Sequence, residues 1–100
     1  MEDIGLPELT DEQVAELCRE GEKAAWKYVL SKVQKKLLLD VDITVWIEGA
    51  APITVTVEVG ISLSPLARGV DAERLAEEAA RRASERIDEL LREMACGLRR

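Results

Sequence analysis

The stretch Asp40-Val41-Asp42-Ile43-Thr44-Val45-Trp46-Ile47-Glu48 is followed, after Gly49-Ala50-Ala51-Pro52, by Ile53-Thr54-Val55-Thr56-Val57-Glu58-Val59-Gly60-Ile61-Ser62-Leu63. In both halves apolar side chains alternate with polar ones, the period of a strand with one buried face. The spacing predicts strands over 40–48 and 53–63, joined by a turn at 49–52. Pairing residues whose numbers sum to 100 sets Val45 opposite Val55 and Ile43 opposite Val57. Both apolar sets then share one face, as a buried hairpin requires. An isolated two-stranded hairpin is not stable in water. The rest of the chain must cover that face.

Both flanks read as helices. Upstream, Thr10 with Gln13 three residues on forms a capping box, and Leu9 with Val14 forms a hydrophobic staple across it. Acids crowd the first turns (Asp11, Glu12, Glu16) and lysines the far end (Lys32, Lys35, Lys36), in line with the helix dipole. This predicts a helix over 11–38, preceded by an N-terminal arm at 1–9. Downstream, Ser64-Pro65 and Gly69 break the chain, and Asp71 can cap a second helix over 71–97. Ala76, Ala80, Ala83, Ile87, Leu90 and Met94 step by four and three along it, as in a coiled-coil seam. Glu77–Arg81, Glu78–Arg82 and Asp88–Arg92 are acid-first pairs on its outer surface.

The expected architecture is α+β, in the order α-β-β-α. One face of a two-stranded antiparallel hairpin is covered by two long antiparallel helices, and all of residues 1–100 form one domain. A helix over 11–38 is roughly 42 Å long and a strand over 40–48 roughly 27 Å. Both helices should therefore overhang the hairpin turn. There Val14, Leu17 and Cys18 can meet Leu90, Leu91 and Met94, while acids between 8 and 22 face Arg92, Arg99 and Arg100.

Composition narrows the function classes. Apolar residues make up 47% of the chain and charged residues 34%, a globular rather than a disordered profile. No apolar run approaches the ~20 residues of a membrane span, and the acidic start is unlike a signal peptide, so a cytoplasmic protein with no membrane association is expected. His is absent, which removes the commonest neutral-pH base and metal ligand. Asn is also absent and Arg occurs nine times, a thermophile-like balance. The net charge of −6 argues against a general nucleic-acid binder. It is unevenly spread: residues 1–22 carry −7, residues 23–39 carry +5 without a single acid, and residues 40–60 carry −4.

No constellation reaches a named chemistry. Ser31 near Lys32 and Lys35 lacks the S-x-x-K spacing, and Glu16 with Glu20 has no converging ligand. No catalytic, cofactor-binding or metal-binding residue is predicted. Cys18 and Cys96 fall near the same end of the expected fold, as a disulfide or as two buried thiols.

The tryptophans are more informative. Trp26, Leu30, Val33 and Leu37 form a second apolar stripe on the first helix, away from the stripe of Val14, Leu17, Gly21, Ala24, Ala25 and Tyr28. One sheet face cannot cover both. Trp46 stands on the other face of the hairpin among Thr44, Thr54 and Thr56, and the second strand lacks lysines to guard its edge. Trp46, Trp26, Leu30 and Val33 are therefore the candidate interface. Lys23 and Lys27, which share a helix line, are the candidate RNA contacts of an alternative reading.

Ala24-Ala25-Trp26-Lys27-Tyr28-Val29-Leu30-Ser31-Lys32-Val33, with Asp40-Val41-Asp42-Ile43-Thr44-Val45, resembles a family of small archaeal proteins known as a domain of unknown function. The Thr54–Leu63 strand and the acid- and Ala-rich final helix are similar to it too. The resemblance implies an archaeal, cytoplasmic α-β-β-α protein and supplies no active residues. It also implies a genomic association with a prefoldin subunit and translation-linked proteins.

Together these observations predict a non-enzymatic interaction module. It would self-associate, as a dimer pairing hairpins into a four-stranded sheet or burying the Trp26/Leu30 stripe, or serve as a subunit of a larger assembly. The alternatives are an RNA-associated accessory subunit and a chaperone-linked, prefoldin-associated factor.

Overall fold

Thr10 starts the first helix as its sequence context demands. In the computed structural model, which describes residues 9–48 and 53–98, the Gln13 backbone N–H donates to the Thr10 hydroxyl at 3.1 Å. The Thr10 N–H donates back to the Gln13 side-chain oxygen at 2.9 Å, completing the capping box. Helix α1 then runs Asp11–Lys32, six residues short of the expected end at 38. Val33 (φ −138°, ψ 137°) and Gln34 (φ −65°, ψ 140°) are extended, and a single 3₁₀ turn at Lys35–Leu37 leads into strand β1, Leu38–Glu48. The reason is tertiary. The Ser64 N–H donates to the Leu37 carbonyl at 2.9 Å, fastening the turn to the far end of the hairpin. The apolar spacing of Val33 and Leu37 mimics a helical period but serves this turn.

Strand β2, Thr54–Leu63, pairs antiparallel with β1. Val45 lies opposite Val57 and Ile43 opposite Val59, so partner numbers sum to 102. The expected register is displaced by two residues, which leaves every side chain on its intended face. The ladder ends at Glu48–Thr54. The turn expected at 49–52 lies outside the described residues. At the other end a bulge between Leu38 and Asp40 turns Leu38 towards the core.

Gly69, at φ +76°, makes the turn before α2, Ala72–Leu98. The Asp71 carboxylate caps it, accepting from the Glu73 and Arg74 N–H groups at 3.1 and 3.3 Å. On the outer surface Asp88–Arg92 closes at 2.8 Å as expected, whereas Arg81 turns to Glu78 and Glu85.

Helix α1 lies over β1, α2 over β2, and the helices pack on each other. Every fully buried apolar side chain among the described residues belongs to a helix or its cap: Leu17, Ala25, Val29 and Val33 from the first, Leu75, Ala79, Ala83 and Ile87 from the second. The inward strand residues are half-buried. The α2 seam is thus Leu75-Ala79-Ala83-Ile87, while Ala76, Ala80, Leu90 and Met94 are half-buried. This helix faces α1 and the sheet at once, so its buried arc is centred between them. Cys18 is level with Val45, to whose carbonyl its thiol donates at 3.6 Å. About 10 Å of α1 beyond Cys18 then matches about 10 Å of strand beyond Val45. From the Gly21–Ile87 contact α1 runs on for about 15 Å to Asp11 and α2 for about 16 Å to Leu98, so the two helices end nearly level. Glu20 reaches Arg86 across the helix pair at 3.8 Å, whereas Arg92 stays with Asp88, and Arg99 and Arg100 lie outside the described residues.

Gly21 is the point of closest approach. A Cβ there would stand 2.7 Å from Ile87 Cδ1 and 3.1 Å from its Cγ1. Gly21→Ala, which in an open helix gains about 1 kcal/mol, should yield a protein no more stable than the parent, because overpacking costs about 1–3 kcal/mol. Ile87→Val removes Cδ1 and alone costs about 0.5–1.5 kcal/mol. In the Gly21→Ala background it should cost at least about 0.5 kcal/mol less. Urea melts of the four proteins measure this coupling, and strict additivity would refute it.

Candidate functional site

The face of the hairpin turned away from the helices is assembled by strand alternation. It carries Asp40, Asp42, Thr44, Trp46 and Glu48 from β1, opposite Ser62, Gly60, Glu58, Thr56 and Thr54 of β2. Trp46 is 51% exposed. Thr56 is directly across from it and Glu58 is on the diagonal, within reach of an aromatic side chain. All four ionisable residues of this face are exposed carboxylates, Asp40, Asp42, Glu48 and Glu58. None has a cationic partner within 4 Å among the described residues.

A second apolar patch lies on α1. Trp26 is 37% and Leu30 45% exposed. At 3.6 residues per turn they stand roughly 100° and 140° around the helix from buried Ala25. Tyr28, which faces Arg82 of α2, lies roughly 60° the other way. Trp26 and Leu30 therefore occupy the flank of α1 remote from α2. Lys23 and Lys27 border them. Lys23 is exposed and only 3.8 Å from Glu20, and Lys27 is exposed without a carboxylate within 4 Å among the described residues. Arg19 continues the border, paired with Glu16.

Val33, expected in the same patch, is buried at 5% exposure and belongs to the core with Ala25 and Val29. Leaving the helix at Val33 turns this residue inward. Leu37 likewise packs against the core. Leu39, 66% exposed at the bulge, belongs to β1, whereas the expected helix end at 38 and strand start at 40 make it a connector with no assigned face. Among the described residues the large exposed apolar side chains are Trp26, Leu30, Leu39, Trp46 and Leu66. Four are on α1 or β1 and none on β2 or α2, so the unguarded β2 edge is not where apolar surface collects.

The grooves of the helical layer are open and shallow. One of about 340 Å³ is lined by Lys27, Tyr28, Ser31, Arg82 and Arg86, among others. The Tyr28 ring carries Arg82 at 5.0 Å and Lys32 at 5.7 Å. No group of three or more His, Cys, Asp or Glu side chains among the described residues could hold a metal ion. No helix among them is long and apolar enough to cross a membrane.

A family profile described as a protein of unknown function, DUF3194, matches residues 6–90. An uncharacterised protein of Thermococcus kodakarensis is 33% identical over 92 residues, covering 92% of this chain and 84% of that protein. Among solved structures, a crystal structure from Thermococcus onnurineus is similar at TM-score 0.74 and 30% identity, over 93% of this chain and 89% of the other. The solution structure of a hypothetical protein from Methanothermobacter thermautotrophicus is similar at TM-score 0.71 and 25% identity, over 87% and 93%. These relatives are archaeal.

Cys18 is the remaining reactive group. Its pairing with Cys96 lies outside the described residues. Burial, with the negative charge of Glu22 beside it, pushes the Cys18 thiol up from its ordinary pKa. Less thiolate is then present at a given pH. In a Cys96→Ser variant, iodoacetamide at pH 8 should modify Cys18 more slowly than free cysteine, accelerating when the protein is unfolded in urea. Equal rates in the folded and unfolded protein would contradict this.

Proposed function

The chain belongs to the DUF3194 family, and on that footing we propose that it is a cytoplasmic, non-enzymatic interaction module that associates with further copies of itself. The observation that carries this reading is the half-exposed Trp46 on a sheet face, matched by Trp26 and Leu30 on a helix flank, neither surface covered by an element among the described residues. Large aromatic side chains contribute most to association when they anchor an interface, and contiguous exposed apolar patches mark contact surfaces. The large exposed apolar side chains lie on α1 and β1 and none on β2, which favours the face and the flank over pairing of hairpins through the β2 edge. Light scattering from low to high micromolar concentration should show the mean mass rising, with tryptophan emission moving to shorter wavelength in step. A chain that stays monomeric across that range would end the proposal.

A second reading, an RNA-associated accessory subunit, is supported by the cations around Tyr28. Lys27 and Arg82 open on one groove, and Lys32 and Arg74 on its neighbour beyond the ring. On this reading total tRNA is shifted in a gel at low salt, the shift weakens steeply with salt, and Lys27→Glu with Arg82→Glu abolishes it. An unshifted tRNA at low salt would dispose of it.

A further inference from the structure

The two exposed apolar patches have opposite electrostatic surroundings. Trp46 stands among Asp40, Asp42, Glu48 and Glu58 on a face without a cation. Trp26 and Leu30 stand beside Lys23 and Lys27; Glu22 lies one turn before Trp26 and Lys23 keeps Glu20 at 3.8 Å, while the stretch from 23 to 39 contains no acid. We propose that these patches are the two halves of one heterologous interface: the acidic outer face of the hairpin in one copy receives the basic flank of α1 from a second copy. The inference rests on the self-association reading above and specifies its geometry.

Like-on-like contact is the alternative, and the charges oppose it. Two hairpin faces stacked on one another would bring eight carboxylates together around the Trp46 pair, with no cation from either face. Two α1 flanks would press Lys23 and Lys27 against their own copies. Like charges across a contact cost several kcal/mol, whereas complementary ones speed association and fix orientation. Face on flank satisfies both sets at once. It also covers all three exposed anchors, Trp46 in one copy and Trp26 and Leu30 in the other. The Trp46 ring can then take an ammonium from the flank on its π face. A specific contact buries roughly 600–1,000 Å² per partner, about a tenth of the 6945 Å² surface of this chain.

The symmetry consequence is sharp. A two-fold dimer uses the same patch twice, but this contact uses different patches and leaves one of each kind unsatisfied at the ends. Association therefore continues into short chains or closes as a ring, and salt weakens it.

The test uses two full-length variants altered only at exposed positions. The face variant carries Trp46→Ala and Glu58→Lys; the flank variant carries Leu30→Glu and Lys23→Glu. Circular dichroism and thermal melts confirm that both are folded. The wild-type chain should show a mass that grows with concentration and falls in 1 M NaCl. Each variant alone should be monomeric. An equimolar mixture should give a species of two chains and nothing larger, because only one good face and one good flank remain. A wild-type chain that associates while the variants fail to complement each other, or while either alone still forms a dimer, overturns the heterologous contact and leaves self-association standing. A monomeric wild-type chain overturns both.

Discussion

Two strands make a sheet only about 10 Å wide, and two helices side by side need about twice that. The fold therefore depends on how closely α1 and α2 can approach, and Gly21 against Ile87 sets that distance. Around it Ala25, Ala79 and Ala83 keep the contact thin, so the pair meets with little bulk between the backbones. A larger residue at this crossing would spread the helices and lift at least one of them off the sheet. The half-burial of every inward strand residue follows from the same mismatch: each strand has one neighbour and one helix, and no strand is enclosed.

The same width mismatch separates what could be read in the sequence from what could not. Features set by nearest neighbours were legible. The Thr10–Gln13 box, the Asp71 cap and the alternation of both strands need only residues within a few positions. Features set by distant partners were not. The end of α1 depends on a hydrogen bond from Ser64 to Leu37, and no local signal marks it, because Val33 and Leu37 sit at helical spacing. The register differs by two because alternation leaves that choice open: both registers keep every side chain on the same face. The α2 seam moved because a helix touching two elements buries the arc between them, which a single-partner pattern does not anticipate.

The candidate surface was legible to the same degree. Trp46 could be placed on the outer face from alternation alone, and Trp26 with Leu30 on a separate stripe from helical period. Val33 could not be told from them, since its fate was decided by where the helix stopped. The sequence also carried the run of lysines after Lys23, which the helix dipole accounts for only in part. Lys35 and Lys36 lie outside α1, so dipole complementarity cannot be their reason. Their being on a chain whose sheet face holds only carboxylates is a relation between distant surfaces, visible once both are in space.

An open face is the direct outcome of the α-β-β-α order. Both helices fall on one side of the hairpin, so the other side has no layer among the described residues. Where such a face is meant only to meet water, short polar and charged residues suffice, and β2 follows that rule with Thr54, Thr56, Glu58, Gly60 and Ser62. β1 departs from it at one position. An indole half-exposed between threonines forfeits burial that an inward position would supply, and it adds a sticky surface to a chain with few other exposed aromatics. The cost makes physical sense if the indole is covered in the working state. The carboxylates around it then say what kind of surface can do the covering: one that brings cations and apolar area together, as the flank of α1 does.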